Sequence, residues 1–220
     1  MIQELIIDKK IAQLQFLTND STDGFSHYKQ AEMAVMSGIR WVQFRTKETW
    51  TEEILENAYR IRNICHRHGA KLIINDNVKA VIDIDADGVH LGREDMSVKE
   101  ARWHLGEEKI IGTSAHTIKA MVEIAPFKPD YIGLGPFTET ATKKSLREVL
   151  GISGYKNIMD IFREKGFEIP VIAIGGIKVT DVDLLMNTGI DGVAISSGIN
   201  DSKDRKKTIT DYLEVLKNRE

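Results

Sequence analysis

The sequence of 220 residues is poor in cysteine and has no long uninterrupted apolar run. Its one cysteine, Cys65, cannot form a disulfide within the chain or complete a cysteine metal site, which indicates a reducing compartment. No stretch approaches the roughly 18 apolar residues of a membrane span. Glu4 and Asp8 interrupt the apolar amino terminus, unlike a secretion signal. We therefore predict a cytoplasmic protein with no membrane partner.

The sequence also lacks an excess of positive charge. Its 30 Lys+Arg face 33 Asp+Glu, a net charge of −3, so no global field attracts nucleic acid. The three tryptophans, Trp41, Trp50 and Trp103, are too scattered to stack bases and are predicted to pack in the core or at its rim. We expect small-molecule partners and no nucleic acid, and any anion must be bound by a local site.

No linker, low-complexity tract or charge block divides the chain. We therefore predict one domain over residues 1–220. It would consist of an amino-terminal extension (1–12), barrel strands and loops (13–200) and a carboxyl-terminal helix (201–220).

Short apolar runs bounded by Gly, Asp, Asn or Pro recur along the chain, each followed by a stretch of helical periodicity. Most runs lack polar alternation, which is typical of parallel strands covered on both faces. Eight such strand–helix units predict an α/β fold, a single (β/α)8 or TIM barrel, with a doubly wound sheet as the alternative. The predicted strands are Leu14–Thr18, Trp41–Phe44, Lys71–Asn75, Gly88–Leu91, Ile110–Thr113, Tyr131–Gly135, Val171–Gly175 and Gly192–Ser196.

Helix signals support this division. Glu52–His68 carries an apolar stripe, and Asp181–Met186 follows Thr180, a predicted amino-terminal cap. Ser97 with Glu100 predicts a capping box.

The active site of such a barrel forms at the carboxyl ends of its strands. Polar residues directly after the apolar runs are therefore the candidates. They are Gln43, Arg45, Lys47, Asn75, Asp76, His90, Asp95, Ser114, His116, Thr140, Thr142, Lys143 and Lys144.

Two anion sites are predicted among these strand ends. The first consists of Gly175-Gly176-Ile177 with Ser196-Ser197-Gly198, where glycines let the backbone approach a phosphate monoester. The alternative is that these glycines only turn the chain from strand to helix.

The second predicted anion site combines the basic residues Arg45, Lys47 and Lys143 with Asp76 and Asp95. With Mg²⁺ on the acids, this cluster would clamp a diphosphate, whereas surface ion pairing is the alternative.

Seven motifs in order resemble the thiamine phosphate synthase family over about residues 14–199. They are Gln-Phe-Arg-Thr-Lys (43–47), Ile-Asn-Asp (74–76), Asp-Gly-Val-His-Leu-Gly-Arg-Glu-Asp (87–95), Gly-Thr-Ser-Ala-His (112–116), Gly-Pro-Phe-Thr-Glu-Thr-Ala-Thr-Lys (135–143), Ala-Ile-Gly-Gly-Ile (173–177) and Gly-Val-Ala-Ile-Ser-Ser (192–197).

The resemblance implies a (β/α)8 barrel, Mg²⁺ as cofactor, and the joining of hydroxymethylpyrimidine diphosphate to hydroxyethylthiazole phosphate. It implies catalytic roles for Arg45, Lys47, Ser114 and Lys143 and Mg²⁺ ligands in Asp76 and Asp95. The implied residues for the pyrimidine diphosphate are Gln43, Phe44, Arg45, Thr46, Lys47, Asn75, Ser114 and Lys143. Those implied for the thiazole phosphate are Thr140, Ala141, Thr142, Gly176, Ser196 and Ser197.

An electron-rich aminopyrimidine delocalises positive charge, so a dissociative substitution with a loop at Thr140–Lys143 excluding water is predicted. One departure from the family is Thr46, which stands where an acidic residue is usual between the arginine and the lysine.

Two alternative functions stay open at this point. A sister group of the same fold tautomerises a thiazole carboxylate phosphate with a histidine base, for which His116 is the candidate. A non-catalytic sensor of thiamine precursors is the other. The retained basic and acidic residues favour the transferase, and a homo-oligomer is left open.

Overall fold

Eight parallel strands close into a barrel in the computed structural model, which describes residues 13–20, 24–139 and 148–219. Each strand pairs with the next along the chain, and β8 pairs with β1. This confirms the (β/α)8 barrel and excludes the doubly wound sheet. The strands are β1 (Leu14–Leu17), β2 (Trp41–Phe44), β3 (Lys71–Asn75), β4 (Gly88–Leu91), β5 (Ile110–Ala115), β6 (Tyr131–Leu134), β7 (Val171–Ile174) and β8 (Gly192–Ile195).

Helices follow the strands and cover the outside of the barrel. They are α1 (His27–Met36), α2 (Glu52–Arg67), α3 (Val78–Ile84), α4 (Val98–Leu105), α5 (Ile118–Ile124), α6 (Gly151–Glu164), α7 (Val182–Met186), α8 (Ser197–Asn200) and α9 (Arg205–Lys217). Two 3₁₀ turns span Ala125–Phe127 and Val179–Asp181. The predicted extension 1–12 lies outside the described residues, and the assignment of the whole chain to one domain stays a prediction.

Local capping explains where several helices begin. The predicted capping box is confirmed, because the Ser97 hydroxyl accepts from the Glu100 N–H while the Glu100 carboxylate accepts from the Ser97 N–H. The predicted cap at Thr180 is wrong. Instead, the Asp181 N–H donates to the Lys178 carbonyl oxygen at 3.0 Å and closes a 3₁₀ turn, while the Asp181 carboxylate accepts from the Lys178 N–H at 2.8 Å. The helix α7 therefore begins at Val182.

Apolar side chains fill the barrel interior, as expected for a barrel of this size. A larger cluster packs between the strands and the surrounding helices. Tyr131 lies across Gly112, where a Cβ atom would come within 2.0 Å of the tyrosine ring. Trp41 and Trp50 pack as predicted, but Trp103 is 80% exposed, so its predicted packing role is wrong. The interior cluster consists of Leu17, Trp41, Ile73, Ile110, Tyr131, Ile172 and Ala194.

A repeated hydrogen-bond pattern fastens the amino-terminal end of the barrel. Asp87, Asp130 and Asp191 stand just before β4, β6 and β8, and each carboxylate accepts from the backbone of the preceding strand. Arg102 of α4 pairs with Asp130 at 2.7 Å, and Arg163 of α6 pairs with Asp191 at 2.8 Å. These contacts connect β3 with β4, β5 with β6 and β7 with β8, and they join the last two pairs to helices α4 and α6. Residues at this end of a barrel contribute to stability rather than to catalysis.

Among the described residues, no helix is both long enough and apolar enough to cross a membrane.

Candidate active site

A cavity of about 670 Å³ opens at the carboxyl-terminal end of the strands. Its wall takes residues from the ends of β1 to β8 and from the loops that follow them. The sequence-predicted residues that line it are Gln43, Arg45, Asn75, His90, Ser114, His116, Gly175, Gly176, Ile177, Ser196, Ser197 and Gly198. The barrel therefore brings together side chains that are more than 150 residues apart in the chain, as its topology requires.

A second, shallower groove adjoins this cavity. Arg45 and Asn75 line both, so the two spaces meet at the ends of β2 and β3. Thr46, Lys47 and Asp76 lie only in the groove. The structure thus places the basic residues of the second-strand motif beside one of the two predicted metal ligands.

Asp76 has an unusual backbone conformation. Its φ is +65°, in the left-handed region that non-glycine residues rarely adopt. The Asp76 N–H donates to the carbonyl oxygen of His90 at 2.8 Å, and its carboxylate accepts from the Asn75 side chain at 2.6 Å. Strained backbone of this kind concentrates at functional sites, and here it fixes a carboxylate at the end of β3.

The donor set of Asp76 and Asp95 fits Mg²⁺. Asp95 follows β4, the strand beside β3, and its carboxylate accepts from the Gly92 N–H at 2.6 Å. In the part of the chain that the structure describes, no group of three or more His, Cys, Asp or Glu could hold a metal ion. Mg²⁺ commonly binds through one or two carboxylates and completes its shell with water and substrate oxygens, so two aspartates are a suitable set.

A buried hydrogen-bond chain leads to Ser114 inside the cavity. Gln15 Nε2 donates to Tyr131 Oη at 3.2 Å, and Tyr131 Oη lies 3.0 Å from His90 Nδ1. His90 Nε2 lies 2.9 Å from Ser114 Oγ. Burial raises the pKa of Tyr131, so its hydroxyl stays protonated and acts as a donor. His90 thus faces the barrel interior and is hydrogen-bonded at both ring nitrogens.

The glycine pair after β7 and the serines after β8 share one side of the cavity. Gly175 and Gly176 have φ values of +103° and +68°. A Cβ atom at Gly176 would lie 2.1 Å from Thr138 Oγ1, so a side chain cannot be accommodated there without displacement. These glycines bring the β7 loop against the loop after β6, where Thr138 Oγ1 donates to the Gly176 carbonyl oxygen at 3.1 Å.

The loop after β6 borders the cavity at both of its described ends. Glu139 on one side and Glu148 and Val149 on the other line the wall. Four predicted site residues of this loop, Thr140, Ala141, Thr142 and Lys143, lie outside the described residues.

Phe44 is not brought to the cavity. Its side chain is 1% exposed and packs edge-on against the rings of His27, at 4.8 Å, and Trp50, at 5.7 Å. Successive residues of a strand point to opposite faces, so the neighbouring Gln43 faces the barrel interior while Phe44 faces the helices. The predicted binding role of the Phe44 side chain is therefore replaced by packing.

Sequence reasoning missed the residues that hold the second-strand motif. The side chains of Thr18 and Asp20 accept hydrogen bonds from Arg45, Thr46 and Lys47. His27 in turn contacts both Thr18 and Asp20. A signal for two of them was present, because Thr18 and Asp20 follow the first apolar run as the other candidates follow theirs.

A closed (β/α)8 barrel, with a cavity at the carboxyl ends of its strands into which polar residues of several strands converge, is the arrangement of a barrel enzyme. The family model described as thiamine monophosphate synthase matches residues 14–199. The chain belongs to this family and is an enzyme of the transferase class.

Relatives support this membership over almost the whole chain. The thiamine-phosphate synthase of Phocaeicola vulgatus is 44% identical over 198 residues, which cover 90% of this chain and 95% of the relative. That of Flavobacterium johnsoniae is 40% identical over 204 residues, covering 93% and 96%. The solved structure of thiamine phosphate pyrophosphorylase from Pyrococcus furiosus superposes with a TM-score of 0.83 at 26% identity, covering 96% of this chain and 98% of that one.

Proposed function

We propose that this thiamine-phosphate synthase joins hydroxymethylpyrimidine diphosphate to hydroxyethylthiazole phosphate at the cavity, giving thiamine phosphate and diphosphate. The observation that carries the proposal is the junction of cavity and groove at Arg45 and Asn75. Two adjoining spaces, one beside basic side chains and one beside a glycine pair, suit a reaction of two phosphorylated substrates.

The diphosphate would occupy the groove. The Arg45 guanidinium can hold two phosphate oxygens at once, while Lys47 supplies a movable point charge. Lys143 is proposed to join them from the loop after β6. Gln43, Thr46 and Asn75 provide further hydrogen-bonding groups around this position.

The thiazole phosphate would lie on the opposite side of the cavity, against Gly176, Ser196 and Ser197. Gly176 lines this side of the cavity, and a glycine backbone can approach phosphate oxygens closely. Thr140, Ala141 and Thr142 are proposed to complete this site from the loop.

The protein's task in this reaction is electrostatic. As the carbon–oxygen bond breaks, charge grows on the departing diphosphate, and Arg45, Lys47 and Lys143 would stabilise it. Ser114 lies beside the reacting centre, and the barrel wall holds the two substrates in line. No side-chain nucleophile is needed. Cys65 is buried in α2, and burial raises the pKa of its thiol to about 12.

We propose Mg²⁺ as the cofactor, held by Asp76 and Asp95. When bound, it would neutralise part of the negative charge on the diphosphate oxygens. We further propose that the protein works in the cytoplasm, with these two small molecules as its partners.

One assay tests the proposed function. Purified protein is incubated with each substrate alone and with both together, with and without Mg²⁺, and products are separated by chromatography. We expect thiamine phosphate and diphosphate in equal amounts only when both substrates and Mg²⁺ are present. Conversion of a thiazole carboxylate phosphate without metal would favour the tautomerase instead. Tight binding of either precursor without turnover would favour the sensor.

A further inference from the structure

The segment Arg45–Lys47 has no regular secondary structure of its own, although it carries two cations of the proposed diphosphate site. Its position is fixed by side chains from the loop after β1. The Arg45 N–H donates to Thr18 Oγ1 at 3.1 Å, and the Lys47 N–H donates to Asp20 Oδ2 at 2.9 Å. The Thr46 hydroxyl donates to Asp20 Oδ1 at 2.8 Å.

His27, the first residue of α1, links the two anchors. Its Nδ1 lies 2.8 Å from Thr18 Oγ1 and its Nε2 lies 3.0 Å from Asp20 Oδ1. The Thr18 hydroxyl can accept from the Arg45 N–H and donate its own proton to His27 Nδ1, and His27 Nε2–H can then donate to Asp20. A single neutral tautomer of His27 is thus compatible with both of its hydrogen bonds, to Thr18 and to Asp20. Edge-on packing against Phe44 holds the ring in this orientation.

We propose that Asp20, oriented by His27, is a positioning residue that holds Arg45 and Lys47 in the geometry needed to bind the diphosphate. The proposal rests on the proposed function and adds a residue from a strand end not otherwise assigned to the site. Asp20 acts through the backbone of Lys47 and the hydroxyl of Thr46.

The charge of Asp20 supports a positioning role. A carboxylate near an anion site weakens anion binding, so its presence there calls for a compensating function. Although burial raises the pKa of Asp20, hydrogen bonds from Lys47, Thr46 and His27 lower it below its ordinary value. Within the described ranges, the ion pair of Asp20 is with His27, and none joins it to the side chains of Arg45 or Lys47. Asp20 itself therefore does not neutralise these two cations.

Asp20 also accounts for the departure at position 46. Where the family usually has an acid between the arginine and the lysine, Thr46 here hydrogen-bonds a carboxylate supplied by the first loop. A carboxylate therefore adjoins the segment although the segment itself contains none.

The test compares Asp20→Ala with Asp160→Asn, a control on the exposed surface of α6. Steady-state kinetics are measured with each substrate varied in turn. Hydrogen exchange is followed by mass spectrometry in a peptide containing residues 44–48. For Asp20→Ala we expect kcat/KM for the pyrimidine diphosphate to fall about tenfold or more, because small misplacement of binding groups is costly. The KM for the thiazole phosphate should stay within about twofold, and exchange at 44–48 should accelerate.

A second pair of variants keeps the test valid if Asp20→Ala does not fold. Thr46→Val removes the hydroxyl that bonds Asp20, whereas Thr46→Ser retains it. We expect Thr46→Val to raise the KM for the pyrimidine diphosphate about fivefold and to accelerate exchange at 44–48 in the protein without substrate, which loss of a direct substrate contact alone would not do. Thr46→Ser should recover most of both changes, and a raised KM with unchanged exchange would count against positioning by Asp20.

The outcomes separate this proposal from the proposed function. A wild-type protein that makes no thiamine phosphate overturns the function. An active wild type with a folded Asp20→Ala variant of unchanged kinetics overturns only the role of Asp20. Equal rises of both KM values with a lower melting temperature also overturn it, since they indicate a general structural role.

Discussion

His90 and Ser114 are joined through a 2.9 Å contact between His90 Nε2 and Ser114 Oγ at the floor of the cavity. The direction of donation follows from the groups behind it. Gln15 donates to Tyr131, so the tyrosine proton is directed to His90 Nδ1, and His90 donates from Nε2. In this arrangement Ser114 accepts from His90 and can donate its own proton to a ligand in the cavity.

This arrangement predicts a catalytic defect in Ser114→Ala without a large loss of stability. We expect kcat to fall about tenfold or more, because a hydrogen-bond donor aimed at developing charge is removed. Steady-state kinetics and thermal melting measure the two effects. Ser153→Ala, on the exposed side of α6, is the matched control. A kcat for Ser114→Ala equal to that of the control would contradict the prediction.

Replacing Asp76 by alanine should impair both metal use and turnover. The Asp76 backbone has a strained, left-handed conformation that fixes its carboxylate at the end of β3. We expect turnover to fall about 100-fold at fixed Mg²⁺. A titration with Mn²⁺ followed by electron paramagnetic resonance provides a readout independent of activity. Unaltered Mn²⁺ binding in the variant would show that Asp76 is not a ligand.

Ser197→Ala should affect one substrate selectively. Ser197 lines the cavity near Gly176, on the side proposed for the thiazole phosphate. Loss of one hydroxyl bonded to a charged group should raise the KM for that substrate about tenfold. The KM for the pyrimidine diphosphate serves as the internal control and should change less than about twofold. Similar rises in both constants would argue against two separate anion positions.

The amino-terminal end should be important for stability but not for catalysis. Arg102 pairs with Asp130, and both side chains are largely buried. Arg102→Ala leaves this carboxylate without its cation and should lower the free energy of unfolding by about 3 kcal/mol. Arg219→Ala breaks a pair with the exposed Asp183 and should cost less than about 1 kcal/mol. Urea unfolding measures both losses, and the kcat of each folded variant should match the wild type.

Asp87 should make stability depend on pH at the acid end. Burial raises its pKa, but donors from Leu72, Lys71 and His66 outweigh this and lower the pKa below its ordinary value. The folded state therefore favours the ionised form. The contribution of Asp87 to the free energy of unfolding is complete above the ordinary carboxyl pKa. It is lost as the pH falls through the lower pKa that Asp87 has in the folded state.

The Asp87→Asn variant isolates that contribution. We expect it to be less stable than the wild type by about 3 kcal/mol near neutral pH, since a buried network loses its charge. The difference in free energy of unfolding should shrink as pH falls below the ordinary carboxyl pKa. Urea unfolding of both proteins between neutral and acid pH measures it, and a difference that stays constant would contradict the linkage.

The sequence predicted the barrel well because buried parallel strands are encoded as short apolar runs. The apolar runs predict all eight strands of the barrel, but some of the predicted strand ends differ from those in the structure. β5 continues to Ala115 because Ser114 and Ala115 pair with Gly133 and Leu134 of β6, and such pairing is invisible in one segment alone. Thr180 was chosen as a cap by residue type, whereas the backbone there turns so that Asp181 takes the capping position.

The sequence predicted the polar residues that line the cavity, but not the residues that hold the segment Arg45–Lys47 in place. Arg45, Asn75 and Ser114 line the cavity because the carboxyl ends of all the strands lie at the same face of the barrel. Asp20 could have been recognised as a candidate because it follows the first apolar run, but spacing does not reveal its contact with Thr46, 26 residues away. The outward direction of Phe44 follows from strand alternation and could have been read from the sequence.

Tyr131 closes the floor of the barrel, with its ring over Gly112 and against Trp41 at a ring-centre distance of 4.7 Å. Among the described residues, the central apolar cluster fills the barrel interior beneath the cavity. We therefore expect both substrates to enter, and both products to leave, at the strand-end side of the barrel. The rate of exchange with solvent is then set by the loops at that end and not by the helices around the barrel.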